Sequence, residues 1–206
     1  MPKTFNPSRM LRSRPVEFKT RTAARDDGQE DLIIEGYFVV FNQPYYVDAA
    51  CEEIIDRHAF DDAEQSDVRA LVDHLTHLVL GRSTAGTLTY TIDDYGIYCV
   101  IIINPKDQDA LNLYARVQRG DVNQASFGFD EDFDAGEWTD LPDGRARWTV
   151  RRVTKLWEVS VCTFPAYEQT LVESRSRDLA AWRAQRAAAD LAKRKQQLLR
   201  HLRHHR

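Results

Sequence analysis

The sequence predicts an α+β protein: a body that is mostly antiparallel β, one central helix, and a long helix at the C-terminus. Three observations carry this. Runs rich in β-branched and aromatic residues (DLIIEGYFVVFN, GTLTYTIDDYGIYCVIII, ARWTVRRVTKLWEVSVCTF) are bounded by turn residues. One stretch between them, Asn104 to Gly120, has helix start and stop signals around an apolar face. From Arg175 onward a basic sequence is interrupted by Leu179, Trp182, Ala189, Leu191, Leu198, Leu199 and Leu202 in a helical pattern.

Residues 1–30 are polar and basic, with Pro2, Pro7 and Pro15 and little periodicity, and are expected to be a flexible arm. At Leu32 the pattern changes to a strand, with a bulge or kink expected at Gly36. EEIIDRHAFDDA follows, a piece suited to one or two helical turns. VRALVDHLTHLVLGR is apolar and must pack. GTLTYTIDDYGIYCVIII reads as a hairpin around Asp93-Asp94-Tyr95-Gly96. Asn104 is the candidate N-cap of the central helix, with Pro105 at its first position and Asp107 and Asp109 in its first turn. Leu111, Tyr114, Ala115 and Val117 give that helix its apolar face, and Gly120 ends it. NQASFGFD then leads towards a last β-rich block, which Pro165 terminates. The expected organisation is an arm over 1–30, a folded domain over 31–175 and a basic helical tail over 176–206.

With 43% hydrophobic and 29% charged residues, the composition is that of a soluble globular chain, and no apolar run reaches the roughly 20 residues of a membrane span. The basic N-terminus has no apolar stretch behind it, so no secretory signal is expected. Cys51, Cys99 and Cys162 are odd in number and widely spaced, which argues for free thiols in a reducing compartment. The net charge of −4 hides a split. From Arg175 on, ten basic residues stand against Asp178 and Asp190, a net of +8, so the rest carries −12.

Phosphate loops, GxSxG and HExxH are all absent. Serine chemistry does not need GxSxG. It needs a serine, a histidine to take its proton and a group that orients the imidazole. Of six histidines, His201, His204 and His205 lie in the basic tail, and His58 lies on an exposed turn. His74 and His77 lie in the apolar segment, where a histidine is ordinarily a hydrogen-bonded core residue. Glu158 sits amid Leu156, Trp157, Val159 and Val161. There a carboxylate is costly unless paired, either with an arginine such as Arg151 or Arg152 or with an imidazole. Ser126 reads locally as a strand-start serine followed by core phenylalanines, with Gly128 leaving room for a bound peptide or an oxyanion.

The order of EGYFVVFN, HAF, DHLTHLVLGR, GTLTYTIDDYGIY, RVQRGDVNQASFGF and LWEVSVCTFPAYEQTLVESR resembles the caudoviral prohead proteases, the capsid maturation serine proteases of tailed phages, across roughly Leu32 to Arg175. That resemblance, more distantly shared with the herpesvirus assemblins, implies a β-barrel-like body surrounded by helices. It implies Ser126 as nucleophile, His74 as base (with six residues between it and Gly81-Arg82), and Glu158 as the third member. His77 does not fit that spacing. Asp73 is a second candidate for the orienting carboxylate, although adjacent residues of one strand point to opposite faces. Gly128 and Arg82 are the candidates beside the oxyanion. No metal or other cofactor is implied. The expected substrates are the major capsid protein or a scaffold segment, inside the procapsid in the host cytoplasm, with self-cleavage and self-association. The basic tail suits an acidic scaffold or the shell's inner surface, and the acidic body argues against a dedicated nucleic-acid binder. Two rival readings remain: an inactive, scaffold-like assembly protein on the same fold, and a β-rich module whose tail binds nucleic acid.

Overall fold

The computed structural model describes residues 10–24, 28–164 and 169–204. Along the chain run β1 (Met10–Pro15), β2 (Lys19–Ala24), β3 (Glu30–Val40), β4 (Tyr45–Tyr46), β5 (Cys51–Ile55), β6 (Arg69–Val72), β7 (Leu75–Arg82), β8 (Leu88–Ile92) and β9 (Gly96–Ile103). Then come α1 (Gln108–Arg119), β10 (Gln124–Glu131), β11 (Glu137–Asp140), β12 (Ala146–Val150), β13 (Val153–Cys162) and α2 (Gln169–His204). The protein is α+β, mostly sheet, with a long C-terminal helix.

The strands form three sheets, ordered β1-β10-β13-β6-β7, β11-β12-β5-β4 and β2-β3-β9-β8. Among the described residues they do not close into the expected barrel, and α1 and α2 are the only α-helices rather than a surrounding set. The last sheet is antiparallel throughout. The other two each contain one parallel pair, β13 with β6 and β12 with β5. Such pairs need long connections, so no hairpin signal announces them.

One core runs between the sheets and under α1. It includes Ile34, Phe38, Ile97, Ile101, Leu113, Phe127, Phe129, Leu156 and Val159. Phe127 and Phe129 stack with centroids 5.1 Å apart. The central helix begins three residues later than Asn104 suggests. Asp107 is its N-cap, accepting from the backbone N–H of Asp109 and Ala110, while Asn104 holds the preceding turn through Lys106 N–H. Gly120 ends it with φ +86°, as predicted.

Three expectations are corrected. Residues 10–24 are not a flexible arm: β1 pairs with β10 and β2 with β3. Their polar sequences are stabilised by ladders with distant partners, which local composition does not reveal. EEIIDRHAFDDA is not helical at its start but continues β5, because Glu52 and Glu53 each meet arginines from elsewhere in the chain. The irregularity of β3 falls between Tyr37 and Val39 rather than at Gly36. Gly36 instead gives space to Phe18, which a Cβ would approach to 3.1 Å. Residues 1–9 and Pro165 lie outside the described residues.

Residues 175–182 of α2 dock on the body. Arg175 and Leu179 are buried, and Trp182 meets Trp138 with ring centroids 6.2 Å apart. Positions 183–197 are exposed. Arg175 enters a buried ionic cluster. Its Nε and Nη2 donate to Glu53 at 3.0 and 2.8 Å, and Nη2 also donates to Glu131 at 2.5 Å. Burial pushes the Glu53 carboxyl up, but Arg12 and Arg175 outweigh it and hold it below its usual range. In Glu131 burial prevails over Arg175, and the carboxyl is raised.

Candidate active site

The site is assembled on one face of the first sheet. In the antiparallel ladder Ser126 stands opposite Ser160, Gly128 opposite Glu158, and Gln124 opposite Cys162. Residues directly opposed share a face, and residues two apart on a strand share it as well. Ser126, Glu158, Ser160 and Cys162 therefore lie on a single side of β10 and β13.

His74 reaches that side from a turn. Val72 and Leu75 are paired in the β6–β7 hairpin, so Asp73 and His74 alone make the connection, with φ of +47° and +60°. Two positive φ values define a type I′ turn, for which Asn-Gly is the preferred pair. Non-glycine residues there cost about 1–2 kcal/mol each, and such strain persists only where the surroundings enforce it. Here they do. Asp73 N–H donates to Val161 O at 3.1 Å, Thr163 N–H donates to Asp73 Oδ1 at 2.8 Å, and His74 N–H donates to Ser160 Oγ at 3.2 Å. The turn is thereby fixed to the end of β13.

His74 Nδ1 lies 2.7 Å from Glu158 Oε1, and Ser160 Oγ donates to Glu158 Oε2 at 2.5 Å. Glu158 is 1% exposed and His74 is half-buried. Arg151 and Arg152, the alternative partners, pair instead with Glu137 and Asp132. Asp73, the rival carboxylate, is engaged by Thr163 through both oxygens. A serine hydroxyl on one carboxylate oxygen and an imidazole on the other fix the carboxylate's plane. That leaves the second ring nitrogen of His74 to accept a proton. This nitrogen, Nε2, faces Cys162 Sγ at 3.8 Å. Burial raises the Cys162 thiol well above its ordinary value, so it stays protonated.

Ser126 is 0% exposed, and its Oγ has no hydrogen-bond partner. Serine and imidazole are thus on one face but not bonded. Gly128, opposite Glu158, has no side chain to project at the carboxylate. Arg82 is not brought to the site. It lies at the opposite end of the hairpin from His74 and grips Asp67 at 2.7 and 2.9 Å. His77 is exposed on β7, and His58 is exposed beside Asp61. Among the described residues no group of His, Cys, Asp and Glu can hold a metal ion, and no helix is long and apolar enough to cross a membrane. No motif singles out Ser160 in the sequence, although its place two residues after Glu158 puts it on the same face of the strand.

The family description "Caudovirus prohead serine protease" matches residues 17–185. The chain belongs to the caudovirus prohead serine protease family. A prohead protease of Enterobacteria phage HK97 is 32% identical over 143 residues, which is 69% of this chain and 59% of that relative. The chain therefore spans less than two thirds of the relative it matches. No solved structure matches it. Within the matched span of this prohead protease family member lie Ser126, His74, Glu158 and Ser160 alike, whereas β1 precedes it.

Proposed function

We propose that the protein is a serine endopeptidase that processes capsid or scaffold proteins inside the procapsid, with Ser126 as nucleophile, His74 as base and Glu158 as the orienting carboxylate. The observation that carries this is the Glu158–His74 pair, fixed by Ser160, on the sheet face that also bears Ser126. His74 Nε2 takes the hydroxyl proton as Oγ attacks the peptide carbonyl. Glu158 stabilises the imidazolium, which then protonates the leaving amine. Water repeats the sequence on the acyl-enzyme. The mechanism requires the Ser126–His74 hydrogen bond to form when substrate binds, since such contacts are often loose without substrate. Backbone N–H groups near Gly128 hold the oxyanion. The exposed basic part of α2 tethers the enzyme to an acidic scaffold or shell surface.

Co-expression with the phage's own capsid protein tests the reading. Processing is expected with the native chain and none with Ser126→Ala. Equal processing by both refutes the nucleophile. No processing by either supports the inactive, scaffold-like alternative.

A further inference from the structure

β1 is an edge strand whose neighbour in the sheet is β10, the strand of Ser126. In its register Ser13 stands opposite Ser126, and Arg12 opposite Phe127. An extended segment thus already lies along the strand of the buried, unpartnered Ser126 hydroxyl, as a peptide does when it adds to a sheet edge. This segment lies outside the family-matched span, which starts at residue 17.

Arg12 points to the other face and is 6% exposed. Its Nε and Nη2 both donate to Glu53, the latter at 2.5 Å, and its guanidinium lies 5.8 Å from the centre of the Phe129 ring. Glu53 is 0% exposed. With Arg12 in place, two carboxylates (Glu53 and Glu131) face two guanidiniums (Arg12 and Arg175). With β1 displaced, the buried Glu53 carboxylate would lose one of the two guanidiniums that hold it ionised, which is costly. The position beside β10 therefore favours a strand with a cation next to the residue that faces Ser126. A guanidinium matches the fork geometry better than an ammonium.

We propose that Glu53 is a specificity-determining residue: the side of β10 that β1 covers is the substrate position, β1 fills it in cis, and extended peptides with an arginine at the place of Arg12 replace it. This rests on Ser126 being the nucleophile.

The test uses the full chain, its Arg12→Ala and Arg12→Lys variants, and a fluorophosphonate probe that labels activated serines, with Ser126→Ala as control. Displacing β1 should expose Ser126, so Arg12→Ala is expected to label about tenfold faster or more than the native chain, the size of one charge-assisted buried contact, with Arg12→Lys between them. An octapeptide with arginine at the Arg12 position should slow labelling of Arg12→Ala at concentrations where its norleucine counterpart does not. Equal labelling of all three chains, no arginine preference, or loss of cooperative melting in both variants overturns the subsite while leaving the nucleophile standing. Labelling that survives Ser126→Ala overturns the nucleophile, and the subsite with it.

Discussion

Glu158→Gln keeps the shape of the side chain and removes its charge. In the native chain the carboxylate holds His74 Nδ1 at 2.7 Å and accepts from Ser160 Oγ at 2.5 Å, at 1% exposure. Each hydrogen bond to a buried charged group is worth about 1.5–3 kcal/mol. An amide can still accept from Nδ1, but it no longer stabilises the imidazolium that forms in the transition state. Losing the charge at the Nδ1 contact, the one that strengthens in the transition state, gives about 1.5–3 kcal/mol, or roughly 10–10² in rate at 1.36 kcal/mol per tenfold. Glu158 sits behind the histidine, away from the nucleophile, so the loss is expected in kcat with KM little changed. The assay is kcat and KM on a peptide from the capsid protein's processed segment, with a melting curve to establish folding. Asp73→Asn is the companion, because Asp73 engages Thr163 and the substitute tolerates positive φ. Its kcat is expected to stay within about fivefold of native, well below the effect of losing a charged contact. A folded Glu158→Gln protein with near-native kcat, or an Asp73→Asn protein as impaired as Glu158→Gln, refutes the orienting role.

Further expectations follow from other parts of the molecule. Arg82 and its neighbour Arg69 hold the Asp67 carboxyl down at about 2, against an ordinary value of 3.8. Its folded-state value is depressed, so the pair's contribution is present above the ordinary value and disappears as pH falls towards 2. The difference in urea midpoint between native and Asp67→Asn should therefore be constant above about pH 5 and vanish near pH 2. Burial raises all three thiols, Cys51 to about 12, so iodoacetamide at neutral pH is expected to leave activity intact and to modify cysteines only after unfolding. Rapid inactivation instead would point to Cys162 beside His74. Arg175→Met leaves Glu53 and Glu131 buried against Arg12 alone and should cost about 3–5 kcal/mol in urea unfolding. A smaller loss would mean that water reaches the cluster.

Much of the fold was legible locally. The hairpin around Asp93–Gly96, the end of α1 at Gly120 and the continuous tail helix follow from turn chemistry, capping and helical periodicity within a few residues. The strand character of residues 10–24 was not legible, because their hydrogen-bond partners lie far along the chain in β10 and β3. The parallel pairs were hidden for the same reason. At the site, the motif order marked Ser126, His74 and Glu158. It did not show that DH is a tight turn rather than part of a strand, and that turn separates Asp73 from His74.

By itself the sequence determined the element types, the cost of a lone glutamate in an apolar strand, and the order of motifs that carries the family resemblance. Only the tertiary structure decided which groups answer that cost. Ladder register places Glu158, Ser160 and Ser126 on one face, and the strained turn brings His74 to Glu158 while Asp73 goes to Thr163. It also decided that Arg12 is buried on Glu53 beside the serine's strand. Register and buried charge pairing join residues far apart in the chain, and no local pattern encodes which strand will lie beside which.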